Sequence, residues 1–448
     1  MLNKKLNNSL FISFYLLSLF AGSNFFTLKI GEFHLFIGRI LTFILPLLLI
    51  SKEKLNILKI AQYGKWLLFV ITLMLGWSIL SYIWAEDKKA VIVNSFYVLT
   101  GILNGFILFC FAFDSNYKFT PQFLKAWHIS WLCLVIFAYL EIFFNFHIQG
   151  HFSDFLAKQV PNIPAFDSVI SLFDGPNELA IYLVISIPFS TYLFYEKPVI
   201  FIAILLVTFQ IIYRNDAKFC LIALLFFMIS FIIVHQQRLS NFIKPIIIKN
   251  YKYALFLISF IACMLLINNL VINKSENYSI YSSFESNYIS LNESNFESSK
   301  VNLKDDSLPS LTSFQIRRNL IINGINFITQ HPLRGIGAGN FEYYMKHTND
   351  VLPTKNVINS HSWLLQLMCE YGIIIGSLYW LLILLLFILN YKYLFKVSIN
   401  DRQLFIAVNL LIIFVIVSNV SSSFASSPLN WTIFSLIFIS LQRRENNA

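Results

Sequence analysis

Apolar residues in this chain come in long runs separated by short polar breaks. A helix rises about 1.5 Å per residue, so about 20 apolar residues cross a hydrocarbon core. Runs of that length fall at roughly 8–27, 33–51, 66–84, 91–113, 127–146, 178–195, 198–213, 217–234, 253–272, 372–390, 403–420 and 427–442. The pattern predicts an all-α polytopic membrane protein with about twelve transmembrane helices. Glu196, Lys197, Arg214, Asn215, Asp216 and Lys218 interrupt the stretch from 178 to 234, which therefore reads as hairpins rather than one very long helix. The first run follows Lys4 and Lys5, lacks a clear small-residue cleavage site and is followed by further spans, so it reads as a retained helix.

Twelve spans put both termini on one side. With that side cytoplasmic, the inner loops and termini hold 18 Lys and Arg and the short outer loops hold 6, the asymmetry that orients membrane proteins. The net charge of +10 is then a product of loop lysines rather than a footprint for nucleic acid. Charged residues are only 12% of the chain, against about 25% in soluble domains. The five cysteines lie in or beside apolar runs without metal-ligand spacing, so neither a disulfide framework nor a metal site is expected. The expected organisation is a nine-span part over 1–272, a large extracytoplasmic loop over 273–361 and a three-span part over 362–448. Arg39 alone among the basic residues falls inside a span, near its outer end. It reads either as a functional charge or as a side chain reaching back to the outer headgroups.

A first outer segment, about 147–177, holds His147, His151, Asp154, Lys158 and Asp174. The second, the large loop, begins with a Ser-, Asn- and Glu-rich stretch to about Ser310, which reads as solvated and flexible. From Ser313 to Gln330 the pattern changes. Ile316, Leu320, Ile321, Ile325 and Ile328 recur at helical spacing, Ser313 stands where a cap belongs, and His331-Pro332 ends the run. This amphipathic helix carries Arg317 and Arg318. Arg334 follows, with glycines at 335, 337 and 339 that permit a tight turn or close approach to a ligand. No Walker lysine or Rossmann frame surrounds them, so a phosphate loop is only weakly indicated. The loop ends in Asn359-Ser360-His361-Ser362-Trp363. Asn359 or Ser360 would cap the following helix, placing His361 in its first turn, where the helix terminus favours a neutral imidazole. Glu370 would face away from His361 and serve as a structural partner for another span. Trp363, Tyr343 and Tyr344 read either as sugar-stacking rings or as interfacial anchors.

Three ordered pieces resemble the O-antigen ligase and polymerase family of membrane glycosyltransferases. One is the external helix arginine followed by the Pro-Leu-x-Gly-x-Gly-x-Gly-Asn-Phe turn, Arg317 through Phe341. The second is the block of His361, Leu365, Glu370, Tyr371, Gly372, Ile373 and Gly376. The third is Asp174-Gly175-Pro176-Asn177-Glu178-Leu179-Ala180, which looks like the Asn-Pro-Asn-x-Ala entry to a span. The runs over 316–327 and 335–345 are similar to polymerases of the teichuronic-acid type.

The resemblance implies a GT-C-like fold in the cytoplasmic membrane, with a donor glycan carried on undecaprenyl diphosphate. The glycan would pass to a growing chain in a polymerase, or to lipid A core of lipopolysaccharide in a ligase. No nucleotide sugar, metal or other cofactor is implied, and no nucleic acid. Expected partners are the lipid-linked oligosaccharide, the glycan acceptor and membrane lipids, with a chain-length regulator and a flippase as candidates. Carried over residue by residue, His361 matches the family histidine near the acceptor and Arg317 the helix arginine, with Arg318 adjacent. The second basic residue is Lys218 by spacing or Arg214 by type. Arg317 with one of these, and Arg334, would hold the diphosphate. Gly335, Gly337 and Arg39 complete the candidate substrate-binding set. A transporter or flippase also has many spans, but the chain lacks a convincing internal repeat and charged, broken spans near the midplane.

Overall fold

The computed structural model describes residues 9–21, 27–30, 33–49, 62–112, 119–144, 169–173, 175–194, 197–231, 313–348, 350–354, 357–394, 402–418 and 426–442. The elements run α1 (Ser9–Phe20), β1 (Thr27–Ile30), β2 (Phe33–Phe36), α2 (Ile37–Leu49), α3 (Gln62–Leu80), a short 3-10 turn (Ser81–Ile83), α4 (Lys88–Ala112), α5 (Pro121–Phe144), α6 (Pro176–Phe194) and α7 (Pro198–Arg214). Then follow α8 (Lys218–Phe231), α9 (Ser313–Gln330), α10 (Phe341–His347), α11 (Trp363–Leu394), α12 (Arg402–Val417) and α13 (Pro428–Gln442). Every apolar run expected as a span coincides with an apolar helix, except 253–272, which lies outside the described residues. Among the described residues, four helices are long and apolar enough to cross a membrane: Lys88–Ala112, Pro121–Phe144, Pro176–Phe194 and Trp363–Ile388.

The second run departs from expectation at its start. Phe33–Phe36 is a strand pairing antiparallel with Thr27–Ile30, and α2 begins only at Ile37. Thr27 and Ile30 in one strand and Phe33 and Phe36 in the other are residue types that suit a two-stranded hairpin.

The bundle is arranged around α6. From Leu179 to Thr191 every residue of that helix is buried, and it packs against α5, α7 and α12. Its serine hydroxyls donate within the helix, Ser186 to Tyr182 O (2.7 Å) and Ser190 to Ser186 O (2.9 Å), while Tyr182 OH donates to Trp127 O of α5 (3.1 Å). In lipid that matters, because a buried hydroxyl without a partner costs more than the bond itself supplies. Outward faces of the bundle carry large exposed side chains such as Leu47, Ile83, Phe144 and Leu381. An apolar exterior around a partly polar interior is what a hydrocarbon solvent demands.

Small residues set the contact between α4 and α13. Gly101 and Gly105, one turn apart on α4, face Trp431 and Ser435 of α13, and a side chain at Gly101 would collide with the Trp431 indole. This is close packing of the small-xxx-small kind. A polar chain crosses the same region. Tyr15 of α1 donates to Asn104 Oδ1 (2.8 Å) and lies 3.2 Å from Thr42 Oγ1 of α2, and Asn104 Nδ2 donates to Thr432 of α13 (3.0 Å). One asparagine thus ties three helices. Asn104→Ala removes both of these bonds while Tyr15 keeps Thr42 and Thr432 keeps Pro428 O, and a loss of about 1 kcal/mol is expected. Unfolding followed by titration with denaturing detergent measures it, and a wild-type midpoint would show that the chain of bonds carries no stability.

Candidate functional site

The part of the loop over 273–361 that lies among the described residues is anchored by a break in a helix. Inside α11, Gly372 has φ 80° and ψ 167°, which no helical residue adopts. A break strands carbonyls before it and amides after it, and lipid supplies no partner for them. The glycine turn supplies the partners. Ile336 N donates to Cys369 O (2.8 Å), Gly337 N to Glu370 O (3.1 Å), and Ile373 N to Pro332 O (2.8 Å). Gly335, Gly337 and Gly339 all have positive φ. Their missing side chains allow the contact: a Cβ at Gly335 would strike Glu370 O, one at Gly337 would strike Ala85, and one at Gly372 would strike Leu333 O.

Glu370 is the polar hub of this joint. It is 1% exposed, and its Oε2 accepts from Gly339 N (2.8 Å) and Asn94 Nδ2 (3.3 Å) while Oε1 accepts from Gln366 Nε2 (3.1 Å). Its role as partner to another span is therefore realised through Asn94 of α4. The far side of the turn is held by the α3–α4 connection. Trp77 Nε1 donates to Arg334 O (3.3 Å), Trp84 Nε1 to Gly335 O (3.2 Å) and Ala338 N to Ser81 Oγ (3.1 Å). Asn340 clamps the backbone of Asp87, accepting from its amide at 2.8 Å and donating to its carbonyl at 3.1 Å. With Gly335 N on His331 O and Asn340 N on Gly337 O, each amide from 335 to 340 is already donated inside the protein. The turn is built as a docking joint rather than as a cradle of amides for phosphate.

Helix α9 packs on this joint with a face rotated from the expected one. Leu320 and Phe327 are buried with Asn323 and Gly324, whereas Ile321 and Ile325 are 47% and 49% exposed. The contact chemistry explains the rotation. A side chain at Gly324 would collide with Leu365, and Cys369 Sγ donates to Gly324 O (3.2 Å), so the glycine must face α11. Asn323 is paired with Leu352, donating to its carbonyl (3.1 Å) and accepting from its amide (2.9 Å). Leu320, Phe327, Ile336, Phe341, Met345, Leu365 and Cys369 form the apolar core of this unit.

The rotation turns Arg317 toward the α7–α8 turn. Its guanidinium carbon lies 5.5 Å from the ring centroid of Phe219, the residue after Lys218. Arg214 ends α7 and is half-buried, and Lys218 is exposed and pairs with Asp216 at 3.5 Å. Asn215 fixes the turn between them. Its side chain exchanges two bonds with Val169 (2.7 and 2.8 Å) and donates to Pro176 O (3.1 Å). Glu141 holds the same segment, accepting from the amides of Ile170 (2.9 Å) and Ser171 (2.8 Å). Arg318 and Arg334 are exposed.

His361 is not in the first helical turn. The helix begins at Trp363, Gln366 N donates to Ser362 O (3.0 Å), and His361 precedes it with φ 49°. A left-handed histidine stores strain, and such strain clusters at functional sites. Ser360 Oγ bonds Ser362 O (3.2 Å), and Trp363 N donates to Ser418 O (3.1 Å), which fixes the turn to the end of α12. Trp363 itself is buried against Tyr379, so it serves neither as an interfacial anchor nor as a sugar platform. Arg39 is enclosed as well. It is 6% exposed, its guanidinium carbon lies 4.6 Å from the Phe36 ring centroid and 4.4 Å from that of Tyr97, and Nη2 donates to Ser426 O (3.4 Å). A charge at membrane depth costs about 2.5–3.5 kcal/mol, and two desolvated cation–π contacts of about 1–2 kcal/mol each are of the same order. Among the described residues no cluster of three metal-ligating side chains occurs. Asp174, His147, His151, Asp154 and Lys158 lie outside the described residues.

Residues 197–381 match the model of the O-Antigen ligase family. The matched segment carries most of the candidate site. It includes Arg214, Lys218, Arg317, Arg334 and His361 and leaves out Arg39. The chain is also 30% identical over 136 residues to the teichuronic acid biosynthesis protein TuaE of Bacillus subtilis (strain 168). That stretch is 30% of this chain and 26% of the length of the relative. Within the family segment, Phe219 and Asn215 escaped sequence reasoning, as did Asn94 outside it. A lone asparagine in an apolar span was the available signal for Asn94.

Two outcomes follow from this geometry. Gly372→Ala is expected to destabilise the folded protein by more than about 1 kcal/mol, since both its φ and its space exclude a side chain. An unchanged thermal midpoint in detergent would contradict the joint. His331 has its pKa lowered from the ordinary 6.5, first by burial and then by the Arg334 charge, with Glu86 opposing. A folded pKa below the unfolded one means stability is full above 6.5 and declines as pH falls through the folded value. Arg334→Gln should raise the His331 titration midpoint, read by histidine NMR.

Proposed function

We propose that this chain is a membrane glycosyltransferase that polymerises oligosaccharide repeats carried on undecaprenyl diphosphate. The reaction would occur at the outer face of the cytoplasmic membrane, in a GT-C-like bundle of about twelve spans with both termini cytoplasmic. The observation that carries the reading is the contact of Arg317 with Phe219. It brings the helix arginine to the turn bearing Arg214 and Lys218, in the same family segment as His361.

A diphosphate leaving group gathers negative charge as the bond from the anomeric carbon to its oxygen breaks. Fixed cations where that charge develops lower the barrier. Arginine suits the role because its planar fork pairs two phosphate oxygens. Arg317 holds the diphosphate with Arg214 or Lys218, and exposed Arg318 and Arg334 attract it from outside. The acceptor hydroxyl attacks the anomeric carbon, its proton passes to His361, and polyprenyl diphosphate departs with the electrons of the broken bond. Gly335 and Gly337 serve through position, by holding the joint on which α9 is mounted. The similarity to a teichuronic acid biosynthesis protein favours chain synthesis over transfer to lipid A core.

In proteoliposomes supplied only with lipid-linked repeats, the wild type should yield a ladder of lipid-linked products. His361→Ala should reduce turnover on the order of 10²–10⁴-fold, the usual worth of a general base. Arg317→Gln should raise the donor KM. Wild-type turnover in the histidine variant removes the base, and a strict need for lipid A core would identify a ligase instead.

A further inference from the structure

The glycine turn leaves one large apolar side chain uncovered at its corner. Leu333 is 66% exposed, although its backbone is fixed on every side. Pro332 O before it accepts from Ile373 N, and Arg334 O after it accepts from Trp77 Nε1. Its own carbonyl occupies the space that a side chain at Gly372 would need. A single exposed leucine is ordinary. This one joins two longer apolar surfaces. Past the break, α11 exposes Ile374, Leu378, Leu381 and Leu385, spaced by four, three and four residues as one helix face is. The end of α3 and the 3-10 turn expose Ile79, Leu80 and Ile83, the last by 76%. The two helices pack together, and Leu333 is tied to α11 through Ile373 and to α3 through Trp77.

Beside this corner the residue types change to those of a membrane interface. Trp77 and Trp84 are half-buried, their rings edge to face at 5.7 Å, and both indole N–H groups are donated to carbonyls of the turn. Tyr82 is 44% exposed, and Lys88 Nζ lies 5.4 Å from its ring centroid. Arg334 is exposed. Trp and Tyr gather at headgroup depth, and long basic side chains reach it from below. The edge is mixed in sign. Glu86 is exposed, while Asp87 spends Oδ1 on the amides of Lys89 and Ala90. Cations with an exposed acid among them suit a headgroup that carries both charges.

We propose that the Leu333–Arg334 corner is a lipid-docking surface. Leu333 and Ile83 enter the acyl region, and Arg334 and Lys88 meet the phosphates of zwitterionic phospholipid. The loop over 273–361 is then fastened to the bilayer as well as to α11. One consequence rests on the glycosyl-transfer reading: α9, which ends just before the corner, holds its arginines near the depth at which a lipid-borne diphosphate is presented. The docking itself does not depend on that reading.

The test places a nitroxide on the full chain carrying Leu333→Cys, in phosphatidylcholine proteoliposomes. Its collisions are read with oxygen, which concentrates in lipid, and with a nickel chelate, which stays in water. The wild-type chain taken through the same labelling supplies the background of the native cysteines, and Leu381→Cys calibrates the hydrocarbon. The label at 333 should collide more with oxygen than with nickel, at a shallower depth than the label at 381. More collisions with nickel put the corner in water and overturn the docking. Few collisions with either reagent mean that protein covers it, as a second copy of the chain would, and overturn it too. A second measurement needs no substitution and decides the matter if Leu333→Cys does not fold. Phosphatidylcholine with a diazirine on its acyl chain, photolysed with the wild type, should label the peptide that carries Leu333; a peptide without label counts against the proposal. Neither measurement needs turnover, so an active His361→Ala enzyme would sink the glycosyl-transfer reading and leave this result standing.

Discussion

A broken helix at Gly372 is the constraint on which the site depends. Backbone groups released inside a membrane bundle have no water to bond, so another segment must reach them. The turn from Pro332 to Asn340 does so, and through it the loop segment is joined to the helical bundle. Everything mounted on that turn inherits its position. Helix α9 is seated by Gly324 and Cys369, α10 by Phe341 and Met345, and the His361 turn by its own short link to α11 and α12. Glycine is required at the two faces of the joint because each approaches the other's backbone more closely than a side chain allows.

The same economy governs polar groups elsewhere in the bundle. Among the described residues the buried Asn94, Asn104, Asn215, Glu141 and Glu370 each connect segments distant in sequence. In a low-dielectric interior an unmet polar group is costly, so each such residue fixes which segments pack beside it. Arginines differ by the same logic. Arg318 and Arg334 are exposed to solvent, Arg317 is steadied by one ring, and Arg39 is enclosed by two. Their chemistry follows from what surrounds them, since the guanidinium is charged in every case.

Much of the fold was legible because its signal is local. Length and apolarity locate helices, and the polar breaks at 196–197 and 214–218 separate α6, α7 and α8 where expected. The helix over Ser313–Gln330 and its stop before His331-Pro332 are local too. Its buried face was not. Apolar spacing favoured Ile321 and Ile325, but an interhelical contact at Gly324 carries no apolar signature and turned the helix. The strand at Phe33–Phe36 was missed for a related reason: a short apolar run reads alike as strand or helix until its pairing partner is known.

From the sequence alone came the membrane class, the helix positions and the residue types able to meet a diphosphate, because hydropathy and side-chain chemistry are properties of residues. Only the tertiary structure decided that the glycines close a helix break, that His361 stands just outside its helix, that Arg39 is enclosed and that Arg317 meets Phe219. Those are relations between segments far apart in the chain. They depend on which backbone groups a neighbour can satisfy, and no single stretch of sequence contains that information.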